Sequence, residues 1–235
     1  MWKSEQGFTV YELLITVAIL GVVLAEAYNA FVSSSRRLVL QNEIVEMQTD
    51  ARAAMDFMVR ELRLAFGTPS ITTTVTANDT ITFDRLEDAG YSSGGNTTTA
   101  LNDTRKTWSA NSFNTSYTVR ITSGTGVGQA RSISANTSTQ LTVANAWETP
   151  PDSSSLYVIL RKKAFTRTST SDNVLRYTAG SSTNQPLADL ITDHTFSQPD
   201  AKTISITLTA QTRNIDPNTH HKRQYTLSET VLRRN

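Results

Sequence analysis

The chain has 235 residues, a formal net charge of +1 and no cysteine. A charge so near zero points to neither nucleic acid nor an acidic partner. The absence of cysteine excludes disulfides, a cysteine-ligated zinc site and a thiol nucleophile, so an exported part has to be held by its core alone. The length suits one medium domain plus a membrane segment.

Residues 1–7 form a short polar leader, to be left out of fold reasoning if it is removed. Then comes Gly7-Phe8-Thr9-Val10-Tyr11-Glu12, followed by the apolar run Leu13 to Ala25. A charged group near the centre of a membrane helix costs about 2.5–3.5 kcal/mol, so Glu12 calls for a partner. One candidate is a free amine on Phe8 of a neighbouring copy, created by cutting after Gly7. Two plainer readings compete. One is a secretory signal cut at Ala25-Glu26-Ala27; the other is an unprocessed signal anchor. The flanking charges do not orient the segment: Lys3 and Glu5 precede it, and Arg36 and Arg37 follow.

From Phe8 to Phe66 there is no proline and a single glycine, Gly21. This predicts one helix over 8–66, about 88 Å long at 1.5 Å per residue. A membrane crossing needs only about 20 residues, so 8–30 is assigned to the membrane, with Glu26 at the headgroup layer. In the water-exposed half, Leu40, Ile44, Met47, Ala51, Met55, Met58 and Leu62 recur at spacings of three or four and form one stripe. Gly67-Thr68-Pro69-Ser70 is read as the helix end.

From about Ser70 the chain is dense in Thr, Ser and Asn, which suits strands and turns of an extracytoplasmic β-rich head. The fold class expected is α+β: a long N-terminal helix packed on an antiparallel β-sheet head with an inserted β module. Residues 67–116 hold the first strands and a flexible loop, 117–160 the inserted module, and 161–235 the remainder of the head. Strand signals lie at Ile71–Thr76, Asp79–Leu86, Ala164–Thr168 and Val174–Thr178, with Leu187–Phe196 strand-like or partly helical. In Thr203–Arg213 apolar and polar residues alternate. Arg223–Leu232 does the same until Glu229 breaks the pattern, which marks an edge strand or an exposed end. Trp147 is expected in the core of the inserted module. Tyr117 to Gln129, with Trp147, Pro150, Pro151, Asp152 and Tyr157, resembles a small structural hairpin module of phage tail and bacterial surface proteins.

Gly7 to Leu14 resembles the class III signal of type IV pilins and type II secretion pseudopilins. The resemblance implies cleavage between Gly7 and Phe8 by a prepilin peptidase, N-methylation of Phe8, and a role for Glu12 as the assembly carboxylate that pairs with the Phe8 amine of an adjacent subunit. Val45 to Ala65, Leu175-Arg176-Tyr177, Gln185 to Ala188 and the ending Val231 to Asn235 are similar to PilW-type minor pilins; the likeness weakens over Leu101–Leu160. GspJ-type minor pseudopilins are the close alternative. Major pilins carry a helix-breaking proline and a C-terminal disulfide, both missing here. The family implies a subunit that starts in the inner membrane as a single-pass prepilin with an extracytoplasmic domain. It then contacts major and minor pilins through its N-terminal helix, and ends in the pilus at the cell surface. Minor pilins of this kind are proposed to prime assembly and to sit near the tip.

No constellation for catalysis, no metal site and no cofactor motif is found. Of the three histidines, His220 and His221 are adjacent in a polar loop and read as solvated. There is no Gly-x-Ser-x-Gly elbow. Gly124-Thr125-Gly126-Val127-Gly128 lacks the Lys-Ser/Thr of a phosphate loop. A weak basic patch is possible from Arg213, Lys222, Arg223, Arg233 and Arg234. Aromatic interleaving is thin, so nucleic acid is not favoured; a pilus-borne adhesin or DNA-binding module stays as the alternative class.

Overall fold

The proline-free N-terminal run folds as a single helix, α1 (Val10–Arg63), in a computed structural model that describes residues 9–72, 79–167, 173–182 and 184–233. Gly7, Phe8 and Arg234 lie outside the described residues, as do the ends of the expected strands Ile71–Thr76 and Ala164–Thr168 and residues 169–172. The protein is α+β and its strand pairs are antiparallel. It divides into two units, one of Met1–Glu46 with Thr212–Arg223 and one of Met47–Gln211 with Gln224–Asn235.

In the larger unit the predicted stripe is the buried face of α1. Met47, Ala51, Met55, Met58 and Leu62 are all buried, with Ala54 and Val59 beside them. Each fully buried Met or Leu side chain stabilises by about 1.5–3 kcal/mol. They pack on Ile81, Phe83, Phe165, Leu175, Ile191, Phe196, Ile204, Ile206 and Leu208 in one core.

The helix stops three residues before its predicted end. Leu64 N–H bonds the Glu61 carbonyl at 3.2 Å, a tightened last turn, and β1 (Ala65–Thr72) follows at once. The buried Ala65 and its pairing with Arg85 pull the chain into the sheet before Gly67 is reached. Gly67, with φ 70°, and Pro69 instead occupy a bulge between Phe66 and Ser70, where a proline need not donate to the ladder.

The remaining strands are β2 (Thr80–Tyr91), β3 (Ala100–Asn102), β4 (Tyr117–Ser123), β5 (Ala130–Asn136), β6 (Gln140–Val143), β7 (Leu156–Thr166), β8 (Leu175–Ala179), β9 (Gln185–Ala188), β10 (Ile191–Ser197), β11 (Thr203–Ile215) and β12 (Lys222–Leu232). A nine-stranded sheet runs β1-β2-β7-β4-β5-β6-β3, with β8 on β7 and β9 on β8. A second sheet is β10-β11-β12, so Glu229 does lie exposed on an edge strand. Leu187–Phe196 contains no helix: Leu190, at φ 64°, separates β9 from β10. On β11 the buried Ile204, Ile206, Leu208 and Ala210 alternate with hydroxyl residues. The latter form a ladder with β12: Ser205 to Thr230 at 3.4 Å, Thr207 to Ser228 at 3.2 Å and Thr209 to Thr226 at 3.2 Å.

A second core gathers Leu101, Val119, Ile121, Ile133, Leu141, Val143, Trp147, Tyr157 and Ile159. Trp147 is buried there as expected. The boundaries differ from the predicted ones in two respects. Leu101 belongs to this core and Trp108 and Phe113 pack on it, although that stretch reads as core-poor. The Ser- and Gly-rich stretch from Ser92, read as a flexible loop, is tied down by polar side chains. Ser92 N–H bonds the Ser155 carbonyl at 2.9 Å, and Asn96 Nδ2 bonds the Pro151 carbonyl at 2.6 Å. Strand β7 runs through both cores, pairing with β4 from Leu156 to Arg161 and with β8 from Lys163 to Thr166. At the turn after β4, a Cβ on Gly124 (φ 80°) would lie 2.2 Å from the Ser154 carbonyl oxygen, so only glycine fits.

In the smaller unit the large apolar side chains of α1 from Val10 to Leu24 are 53–79% exposed, and Tyr28 and Phe31 are exposed too. By length and composition this helix is sufficient to cross a membrane.

Candidate functional site

The first turn of α1 holds the site residue that sequence reasoning ranks highest. Thr9 precedes the helix and Glu12 lies in its first turn. Thr9 donates to Glu12 Oε2 through its backbone N–H and its hydroxyl, both at 2.9 Å, and the Glu12 N–H reaches back to Thr9 Oγ1 at 3.3 Å. This is a reciprocal capping box. It satisfies backbone donors that the helix leaves open and sets a negative charge at the positive end of the helix dipole. Thr-x-x-Glu spacing is the sequence signal for it, and the reading of Glu12 as an assembly carboxylate passed over it. Among the described residues the Glu12 carboxylate meets no cation. Around it Val10, Tyr11, Leu13 and Leu14 are exposed apolar groups.

Glu43 was missed as a site residue. It lies three residues after Leu40 and four before Met47, on the stripe itself. It is 6% exposed. Its carboxylate accepts the Arg213 N–H, the Asn214 N–H at 3.3 Å and Asn214 Nδ2 at 2.9 Å. The buried charge thereby fixes the end of β11 against the helix within the smaller unit.

The predicted basic patch does not form as drawn. Arg233 is 5% exposed and donates to the carbonyls of Gly67 and Ala201 in the larger unit. A guanidinium suits such multiple acceptors. Arg223 Nε bonds Asp216 Oδ2 at 2.7 Å. The Asn218 N–H, and then Arg223, hold the Asp216 carboxyl below the usual range. Of the set, Arg213, Lys222 and Arg223 stay exposed in the smaller unit.

His194 is buried, unlike the exposed His220 and His221. Its Nε2 lies 2.6 Å from the Asp79 carbonyl, which can only accept, so this nitrogen carries the proton. Burial pushes its pKa down. Among the described residues no three acidic or histidine side chains gather as a metal site. A cleft of about 400 Å³ beside the second core is lined by Gly90, Asp103, Arg105, Lys106 and Tyr157. Its polar groups are already paired: Tyr157 OH and Arg105 Nε bond Asp103 at 2.9 and 3.0 Å, and Lys106 Nζ bonds Asp88 at 2.7 Å. That cleft is a satisfied polar network.

No family model, no curated protein and no solved structure matches this chain.

Proposed function

We propose that the chain is a non-catalytic minor subunit of a type IV pilus-like filament. It starts as a single-pass prepilin of the inner membrane with its head on the extracytoplasmic side. A prepilin peptidase cuts between Gly7 and Phe8, and the Phe8 amine is methylated. Glu12, the fifth residue of the chain so produced, then pairs with the Phe8 amine of an adjacent pilin. The apolar face of α1 passes from lipid to the helices of neighbouring subunits, and the β head is carried to the cell surface.

One observation supports this reading above the others: a lone carboxylate in the first turn of a helix whose apolar side chains from Val10 to Leu24 are exposed on every side. A helix of a water-soluble core buries such side chains, and a plain anchor has no use for the charge. A neighbour's amine removes the cost of the carboxylate and sets the register between two helices.

Mass spectrometry of membrane and filament fractions tests it. The expected product begins at N-methylated Phe8; a chain beginning at Tyr28 overturns the proposal. Deleting the gene is expected to reduce pili and leave enzyme secretion intact; the reverse outcome assigns the chain to a secretion pseudopilus.

A further inference from the structure

In the smaller unit a cleft of about 620 Å³ opens between α1 and the turn after β11. Val39, Leu40, Ile215 and Pro217 line its apolar part, and Arg36 and His220 its rim. We propose that this cleft binds the headgroup of an anionic phospholipid in the leaflet from which α1 emerges. The inference rests on the membrane-anchored reading given above.

Three observations place it there. The first is depth. About 20 residues from Val10 reach Asn29, the far side of a hydrocarbon layer. Tyr28 and Phe31, both exposed, fall where aromatic residues anchor at the interface. Arg36 follows about 10 Å further on, and its long side chain can snorkel back toward the headgroup layer.

The second is charge. Arg36, Arg37 and Lys222 are exposed in this unit. No acidic side chain lines the cleft. The two buried carboxylates nearby are engaged, Glu43 by Arg213 and Asn214, and Asp216 by Arg223 and Asn218. Arg36 at the rim therefore meets phosphate oxygens unopposed, with Arg37 next to it in sequence and Lys222 adding positive charge to the same unit.

The third is the mixture of surfaces. Leu38, Val39 and Ile215 are each more than half exposed beside these cations. A nucleic-acid site has little use for bare aliphatic groups at its rim. A lipid uses both, phosphate on the cations and glycerol and upper acyl carbons on Val39 and Ile215. The turn is also prebuilt: His220 N–H bonds the Asp216 carbonyl and Asp216 N–H the His221 carbonyl, each at 2.9 Å.

The test uses the full chain in nanodiscs of phosphatidylcholine with a minor share of phosphatidylglycerol. After release into detergent, native mass spectrometry counts the retained lipid. Phosphatidylglycerol is expected at about threefold or more over its bulk share. The variant R36Q/R37Q/K222Q is expected to fall to the bulk share with an unchanged thermal midpoint. No enrichment in the parent chain, or full enrichment in the variant, overturns the proposal. So does competition by a short DNA duplex at physiological salt, which assigns the cations to nucleic acid. Alkaline carbonate extraction separates the two levels of failure. A chain stripped from membranes loses the anchored reading and the lipid site together; a chain retained without enrichment loses only the lipid site.

Discussion

Lys163 on β7 places its ammonium 2.9 Å from Glu61 Oε2 in the last turns of α1, with both side chains almost wholly buried. Arg85 Nε lies 3.3 Å from the same carboxylate, and Glu87 contacts both cations, Arg85 at 2.9 Å and Lys163 at 3.5 Å. Two carboxylates and two cations thus form a neutral cluster where the helix leaves the sheet. Breaking one buried partner of such a set leaves an uncompensated charge. Lys163→Met is expected to destabilise the head by about 3 kcal/mol. The double change K163M/E61Q is expected to cost clearly less than the sum of the two single changes. Chemical unfolding of the four proteins, followed by circular dichroism, checks this; additive costs contradict it.

Glu12 caps its own helix and, in the function proposed above, also pairs with a neighbour; substitutions can part the two. Glu12→Gln keeps an acceptor for Thr9 and removes the charge. Thr9→Ala keeps the charge and removes the box at a cost of about 1 kcal/mol. Incorporation into filaments is expected to drop at least about tenfold for E12Q and to change little for T9A, with both proteins found in the membrane at parental levels. Equal incorporation of E12Q and the parent chain counts against the pairing role.

Glu43 holds backbone amides, so its loss registers at those amides first. In Glu43→Ala the N–H groups of Arg213 and Asn214 lose a charged acceptor, an effect of about 1–3 kcal/mol. Hydrogen exchange of the peptide spanning Thr212–Asp216 is expected to quicken by about tenfold or more, while the peptide spanning Ile204–Ala210 keeps its protection. Uniform loss of protection across β11 contradicts this local account.

The buried His194 sets a pH dependence. Its pKa is lowered in the folded state because burial disfavours the imidazolium. Above about pH 6.5 both states are neutral there and the group contributes nothing. As pH falls through that value the unfolded chain takes up a proton that the folded chain resists, so stability drops. Asp152, Asp200 and Asp216 all have lowered pKa values and act only further into acid. The thermal midpoint is expected to fall between pH 7 and pH 5, and His194→Asn is expected to flatten that slope. An unchanged slope removes His194 as its source.

Gly124 offers a local test of the second core. A methyl group there meets the Ser154 backbone and demands a left-handed conformation of a residue with a side chain. Gly124→Ala is expected to cost about 3 kcal/mol or more, against about 1–2 kcal/mol at Gly128, which shares the left-handed conformation (φ 88°) but has nothing within 4 Å. Thermal unfolding of the two variants compares them.

Periodicity was the dependable guide to the fold. The stripe from Met47 to Leu62 and the alternation along Ile204–Leu208 are local patterns, and both are buried as patterned. What the sequence hides is pairing at a distance. Nothing local to Leu101, Trp108 or Phe113 tells that strands some forty residues later complete their core. Nothing local to Gly67-Thr68-Pro69 tells that Ala65 is already in a sheet. Charged residues were read by the same local habit. Arg233 looks like a solvated tail and is buried on carbonyls; Glu43 looks like a surface carboxylate and is a buried acceptor. In the first turn the Thr-x-x-Glu spacing is the local signal of the capping box.

Strand β7 has a mechanical consequence. Ten residue pairs tie it to β2, from Ile81 with Phe165 to Tyr91 with Leu156, and its two ends lie in different cores. Tension applied along β7 is met in shear by that whole ladder at once, and neither core can come apart without breaking it. A head built in this way yields in one step at high force.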